Sequence, residues 1–341
     1  MIRRPLAAWL AILVVTALSG PPAASAQAPA PATTATKAVA VDPLPSWNDG
    51  AVKRTLLRFV REASDPASPG FVPAEERVAT FDSDGTLIAE KPGYFPVMFL
   101  AERARTLAGS HPEWLEQPTL RAVIEDRPGA IGSVHSWELT GPAAATHTGM
   151  TEEEFEGLVR TYLDTARHPK FKSRLTDLVY VPMVELMASL RASGFKVYVC
   201  SAGGAGFVRA FSESAYGVPK DMVIGTQVQN EYQVRDGRGV LVRTPVGVEP
   251  LCDKAGKPIH IIRHVGRRPV LAFGNSDGDV EMLEFASDPP KPSLSLLLRH
   301  DDADREFAYD ARSERALALA KERGWQVVSV KNDFKVVFRN P

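Results

Sequence analysis

The chain has little that would staple or anchor it: only two cysteines in 341 residues, Cys200 and Cys252, and no run of Lys and Arg. Two cysteines cannot build a disulfide scaffold, and their spacing is not that of a zinc site. Whether they pair with each other stays open, because a bridge needs a specific Cα separation. Lys and Arg number 40 against 41 Asp and Glu, a formal charge of −1 that gives no footprint for nucleic acid or an anionic membrane. Long apolar stretches are scarce too. The run from Leu6 to Leu18 is too short to span a bilayer as a permanent helix. With Arg3 and Arg4 before it and Ala24-Ser25-Ala26 after it, residues 1–26 read as a secretory signal peptide. The expectation is an exported protein, periplasmic or secreted, with no stable membrane anchor after cleavage.

Residues 27–41 are rich in Ala, Pro and Thr, which bury too little apolar surface to order themselves, and read as a linker. From Asp42 onward the composition is that of a globular protein, with 44% hydrophobic and 24% charged residues in the chain as a whole.

What is present begins with Arg77 to Leu87. Val78 to Phe81 form a short apolar, β-branched run, and Asp82-Ser83-Asp84-Gly85 follows as a tight turn. Two carboxylates this close repel unless they share a proton or a divalent cation. A calcium loop does not fit, because the turn Gly comes too early and Gly93 stands where the closing Glu belongs. The next stretch turns helical: Pro96 to Leu107, then Thr151 to Ala166, where Thr151 and Glu154 make a capping signal. Residues 90–178 are therefore expected to be a mostly helical cap inserted between the two parts of an α/β core, 42–89 and 179–341.

A helix opened by Pro182 returns into the apolar run Phe195 to Cys200, the pattern of a βαβ unit and a parallel sheet. Ser201-Ala202-Gly203-Gly204 then leads toward a helix at Phe207 to Ser214, and such a Gly-rich turn suits a phosphate. Val223 to Val228 and Gly239 to Thr244 suggest a hairpin turning at Asp236-Gly237. Lys257 stands where Pro258 opens a helix reaching His264, with Lys254 as its nearest rival for a place in a cleft. His260 and His264 share a helix face but lack the Glu of a metalloprotease motif. Val270 to Phe273 ends in Gly274-Asn275-Ser276-Asp277-Gly278-Asp279, whose oxygens suit magnesium. His300, Asp301, Arg305 and Tyr309 read as solvated loop residues.

Taken in order, Phe81-Asp82-Ser83-Asp84-Gly85-Thr86-Leu87, Ser201, Lys257 and Gly274 to Asp279 resemble the haloacid dehalogenase superfamily, in its phosphoserine-phosphatase-like branch. The resemblance implies a doubly wound parallel sheet with a Rossmann-like α/β core. It implies that Asp82 attacks phosphorus and that Asp84 is the general acid and base. Ser201, Ala202, Gly203 and Lys257 would hold the phosphoryl oxygens, and Asp82, Asp84, Asn275 and Asp279 would hold Mg2+. Asn275 stands where many relatives carry an Asp, so Asp277 is an alternative ligand. The second acid, Asp84, favours phosphate esters over haloalkanoates, because halide leaves without a proton. The function implied is a magnesium-dependent phosphatase for small phosphate monoesters. A phosphotransferase or mutase, or a non-catalytic protein that binds phosphate esters, shares the same motifs. Glu90, Lys91, Tyr94, His147 and Lys170 are candidate specificity positions in the cap. Neither the particular ester nor the oligomeric state follows from these residues.

Overall fold

The computed structural model describes residues 42–127, 146–248, 250–287 and 292–339. The stretches expected to be a signal peptide (1–26) and a linker (27–41), and residues 128–145 of the expected cap, lie outside these residues. No helix among the described residues is long and apolar enough to cross a membrane.

Strand β1 (Val78–Phe81) is buried along its whole length, as expected of a strand covered on both faces in a parallel sheet. It lies between β2 (Lys196–Gly204) and a later strand, β6 (Leu271–Gly274), and runs parallel to both. Beyond β2 lies β3 (Val223–Thr226), also parallel. Beyond β6 lie β7 (Leu294–Asp301) and β9 (Gln326–Ser329), with the short antiparallel β8 (Ala308–Tyr309) on the end of β7. Strand order thus reverses between β1 and β6. In an open α/β sheet, such a switch point leaves a crevice at the carboxyl ends of the strands. Phe81 is in register with Val199 and with Phe273, so the first, second and fourth motifs emerge at one edge.

Helices cover the sheet. Ala51–Ser64 buries Val52, Leu56, Val60 and Ala63, residues at helical spacing. Val181–Ala192 returns the chain to β2 with Met183, Leu186, Met187 and Leu190 inward. Between β1 and β2 stand helices Phe95–Leu107, Pro118–Ile124 and Glu152–Thr165. The last begins with the anticipated capping box: Thr151 accepts from the Glu154 N–H, and Glu154 accepts from the Thr151 N–H.

Several local expectations change. The run Val223 to Val228 divides: β3 joins the central sheet, and β4 (Val228–Arg235) pairs with β5 (Arg238–Val248) in a separate antiparallel ribbon. The turn is at Asp236-Gly237, as the dipeptide indicates, and both residues have positive φ. The ribbon packs on the insertion, where Thr151 bridges to Val242 and Arg243 pairs with Glu152 at 3.0 Å. In place of one helix over 207–214 there are two short ones, Ala205–Arg209 and Ser212–Tyr216. The helix assigned to Pro258 starts earlier, at Gly256, with Pro258 in its first turn, where no N–H partner is lost.

Candidate active site

The Asp82 loop is built to be rigid. The Ser83 carbonyl accepts from the N–H groups of Thr86, Leu87 and Ile88, and the Gly85 N–H donates to the Ile88 carbonyl. Gly85 has a φ of +80°, and a Cβ there would stand 2.1 Å from Asn275 Nδ2. Only glycine meets both demands.

Beneath this loop lies a buried network. His300 Nε2 donates to the Gly85 carbonyl at 2.8 Å, its Nδ1 faces Glu306 Oε1 at 2.9 Å, and Tyr180 donates to Glu306 Oε2 at 2.6 Å. Both ring nitrogens therefore face acceptors. Burial pulls the His300 pKa down, but the Glu306 carboxylate outweighs it and holds the ring above its ordinary value. The reading of these positions as solvated loop does not hold: His300 is buried and Tyr309 stacks on it. Asp301 accepts from Ser329 and from the Lys331 N–H, and Arg305 donates to the Val330 and Phe334 carbonyls. A single sequence carries no signal for these long-range partners.

Lys257 is the central charge. It is 1% exposed, and its Nζ donates to Asp82 Oδ1 at 2.5 Å and to the Cys200 carbonyl at 2.8 Å. Asp279 Oδ1 lies 2.7 Å from the same ammonium without hydrogen-bond alignment, while Oδ2 accepts from the N–H groups of Asn275 and Ser276. Burial lowers the lysine pKa, yet Asp279 and Asp82 together raise it well above its usual value. Burial and Asp279 raise the Asp82 carboxyl, against Lys257. Burial and then Glu90 push Asp84 up to about 7. Gly274 makes room for Asp279, whose Cβ would lie 2.4 Å from a Cβ at that position.

A cavity of about 350 Å³ opens on this edge. Its lining includes Asp82, Asp84, Ala202, Gly203, Lys257 and Asp279, so most of the residues expected to act together do meet. Ser201 and Asn275 lie below the surface. Ser201 Oγ accepts from the Gly203 N–H and shapes the turn; Asn275 Oδ1 accepts from Thr86. Asp277 lines the cavity, but its Oδ1 accepts from the Ala316 N–H. Among the cap candidates, Glu90 and Tyr94 line the cavity. Lys91, His147 and Lys170 are not part of the lining. Burial and the cations Arg243 and Arg103 lower His147 to about 3, while Lys170 Nζ donates to the Glu306 carbonyl. Lys254 is exposed at the rim, which settles its rivalry with Lys257 for the buried place. His260 Nε2 donates to the Pro250 carbonyl. Cys200 and Cys252 are free thiols with Sγ atoms 3.6 Å apart.

The order of these parts along the chain has a counterpart among known proteins, since the profile of the haloacid dehalogenase-like hydrolases matches residues 79–284, more than half of the sequence. The chain belongs to this family. A functionally unknown protein from Anaerococcus prevotii superposes on this HAD-like hydrolase with a TM-score of 0.54 and 16% identity, covering 84% of this chain and 94% of that one. A Bordetella pertussis protein of unknown function aligns at 0.47 and 17%, covering 74% and 98%. A HAD-family hydrolase from Salmonella enterica serovar Typhi aligns at 0.40 and 17%, covering 77% and 70%. The first likeness concerns the fold alone. No curated protein matches the HAD-like hydrolase significantly.

Among the described residues, no three His, Cys, Asp or Glu side chains form a ready metal cage. Magnesium, however, binds through one or two carboxylates and keeps several waters. Beside the Lys257 ammonium, Asp82 and Asp279 both turn carboxylates to the cavity, Asp279 Oδ1 has no hydrogen-bond partner, and the donor set is all oxygen. These donors fit magnesium.

Proposed function

We propose that this hydrolase is a magnesium-dependent phosphomonoesterase for small phosphate esters. The observation that carries the reading is the pair of acids on one cavity: Asp82 held by the Lys257 ammonium at 2.5 Å, and Asp84 with a proton affinity near neutral. A nucleophile wants its negative charge balanced; a general acid wants a pKa near the working pH. The Asp82 carboxylate attacks phosphorus, the ester P–O bond breaks, and Asp84 gives its proton to the departing alcohol. Water then attacks the aspartyl-phosphate, Asp84 takes a proton from it, and the bond from phosphorus to Asp82 breaks. Lys257 and the Ala202–Gly203 backbone hold the phosphoryl oxygens in this reading, with Ser201 bracing that turn. Asp82, the Asp84 main chain and Asp279 would hold magnesium, which supplies positive charge against the phosphate dianion. Asn275 serves the first loop by accepting from Thr86. In this reading the enzyme works outside the cytoplasm, as the residue pattern of 1–26 suggests.

The test is hydrolysis of para-nitrophenyl phosphate by the chain from Gln27, with magnesium and with chelator, beside Asp82→Asn. Metal-dependent release of phosphate that vanishes in the variant supports the proposal. Turnover that survives Asp82→Asn removes it. An added alcohol acceptor separates hydrolysis from phosphoryl transfer.

A further inference from the structure

Two cations in the cavity have no place in the chemistry above. Arg312 and Lys254 both belong to its lining. Both hold φ angles, +71° and +51°, that L side chains rarely adopt, and they are two of only five such non-glycine residues among those described. Backbone held in this way persists where its surroundings fix it, and it gathers at functional sites. Here the fixing partner is the loop that carries Asp279. The Arg312 carbonyl accepts from the Asp277 N–H at 2.7 Å, and the Lys254 N–H donates to the Gly278 carbonyl at 3.0 Å. Successive residues of one loop thus clamp the two cations into the cavity wall.

Neither side chain is in an ion pair among the described residues, although the Asp253 carboxylate attracts Lys254. Arg299, Arg305, Arg315 and Arg323 each pair with an acid. Among the described residues no carboxylate lies within ion-pair distance of the Arg312 guanidinium, whose side-chain hydrogen bond goes to the Tyr94 hydroxyl at 3.3 Å, across a ring also in the lining. A guanidinium offers five donors in a fixed fork that matches carboxylate or phosphate. The acids that share the lining have other partners: Glu90 has Lys91 at 3.9 Å, Asp277 accepts from the Ala316 N–H, and Asp253 accepts from the Lys254 N–H.

We propose that Arg312 and Lys254 form a second anion subsite, so that the substrate is a phosphate ester whose alcohol part carries another anion, a carboxylate or a second phosphate. This rests on the phosphomonoesterase reading, with Lys257 serving the transferred phosphoryl group and Arg312 the group that stays behind.

Binding decides the subsite and turnover decides the phosphatase reading, so either can fail without the other. Titration calorimetry on Asp82→Asn, which spares the ester, compares phosphoglycolate, 1,3-propanediol bisphosphate and phenyl phosphate, with and without Arg312→Gln or Lys254→Gln. The expected result is tighter binding of at least one doubly anionic ester than of phenyl phosphate. Arg312→Gln then shrinks that preference by about ten- to a hundredfold, the size expected for one hydrogen bond to a charged group. Lys254→Gln shrinks it less, because its ammonium is exposed. The relative response of the two doubly anionic probes tells carboxylate from phosphate. An equal loss for all three esters, no preference in the parent, or no binding of any of them overturns the subsite. Turnover of phenyl phosphate by the wild type is scored separately.

Discussion

The sheet edge at Asp82 and the helical insertion above it are stabilised in different ways. Around Asp82, β1, β2 and β6 belong to cores that run from Leu44 to Phe338, and buried polar groups are tied to them by charge and hydrogen bonds. The insertion has two tiers. Phe99, Phe155 and Tyr162 pack edge-on and share the main core, whereas Val97, Ala101 and Val123 form one small cluster and Ala104, Trp114 and Leu120 another. Separate small clusters open at lower free energy than a continuous core. The chemistry is thus fixed in the part that cannot yield, and the part over the cavity has an outer tier that can.

The largest effect that sharpens this contrast is chemical. On the proposed mechanism, Asp82→Asn is expected to lower kcat by about 10⁴-fold or more, as removal of a nucleophile does, with the fold intact by circular dichroism. Next comes Lys257→Met, which leaves Asp82 and Asp279 as neighbouring buried acids without their cation. It lowers unfolding stability by about 3–5 kcal/mol in urea titrations, besides abolishing turnover. A milder outcome would break the picture of a rigid, charge-bound edge.

His300→Gln removes the imidazole from Glu306 and loosens the Gly85 carbonyl. The expectation is a fall in kcat of about ten- to a hundredfold with KM little changed, because the loop that carries Asp84 is displaced and not the substrate. In the insertion, Val123→Ala speeds amide exchange in helices Phe95–Leu107 and Pro118–Ile124 while β1 and β6 stay protected. An equal response in the sheet would mean that the two regions form one cooperative unit.

The smallest effect is in pH. Asp84 is pushed up to about 7 from an ordinary value of 3.8, so its contribution to stability is full below about 3.8, is lost progressively as pH rises to about 7, and is absent above that. Metal-free wild type should therefore lose urea resistance over that range relative to Asp84→Asn.

Some of this was legible in the residues and some was not. The apolar runs of β1, β2 and β6 and the turns behind them are local patterns, so a parallel sheet brings Asp82 and Asp279 to one edge, whereas Lys257, on the helix Gly256–Val265, was joined to them only by the family resemblance. The change of sheet between Thr226 and Val228 did not: Val223 to Val228 is one β-favouring run, and only tertiary burial separates the buried β3 from the mostly exposed β4. Arg312 was invisible because nothing local marks a loop residue that a hydrogen bond from Asp277 brings to the cavity. The same holds for His300, whose partner Gly85 lies 215 residues away in sequence.

Lys257 has a consequence for the time course of a catalytic cycle. A flexible lysine gives up about 2 kcal/mol of rotamer entropy when it is fixed. At 1% exposure, with its ammonium between Asp82, Asp279 and the Cys200 carbonyl, this side chain has already lost that freedom when the chain folds. The loss falls once on folding and not again at each turnover, so an arriving anion meets a charge that has no searching left to do.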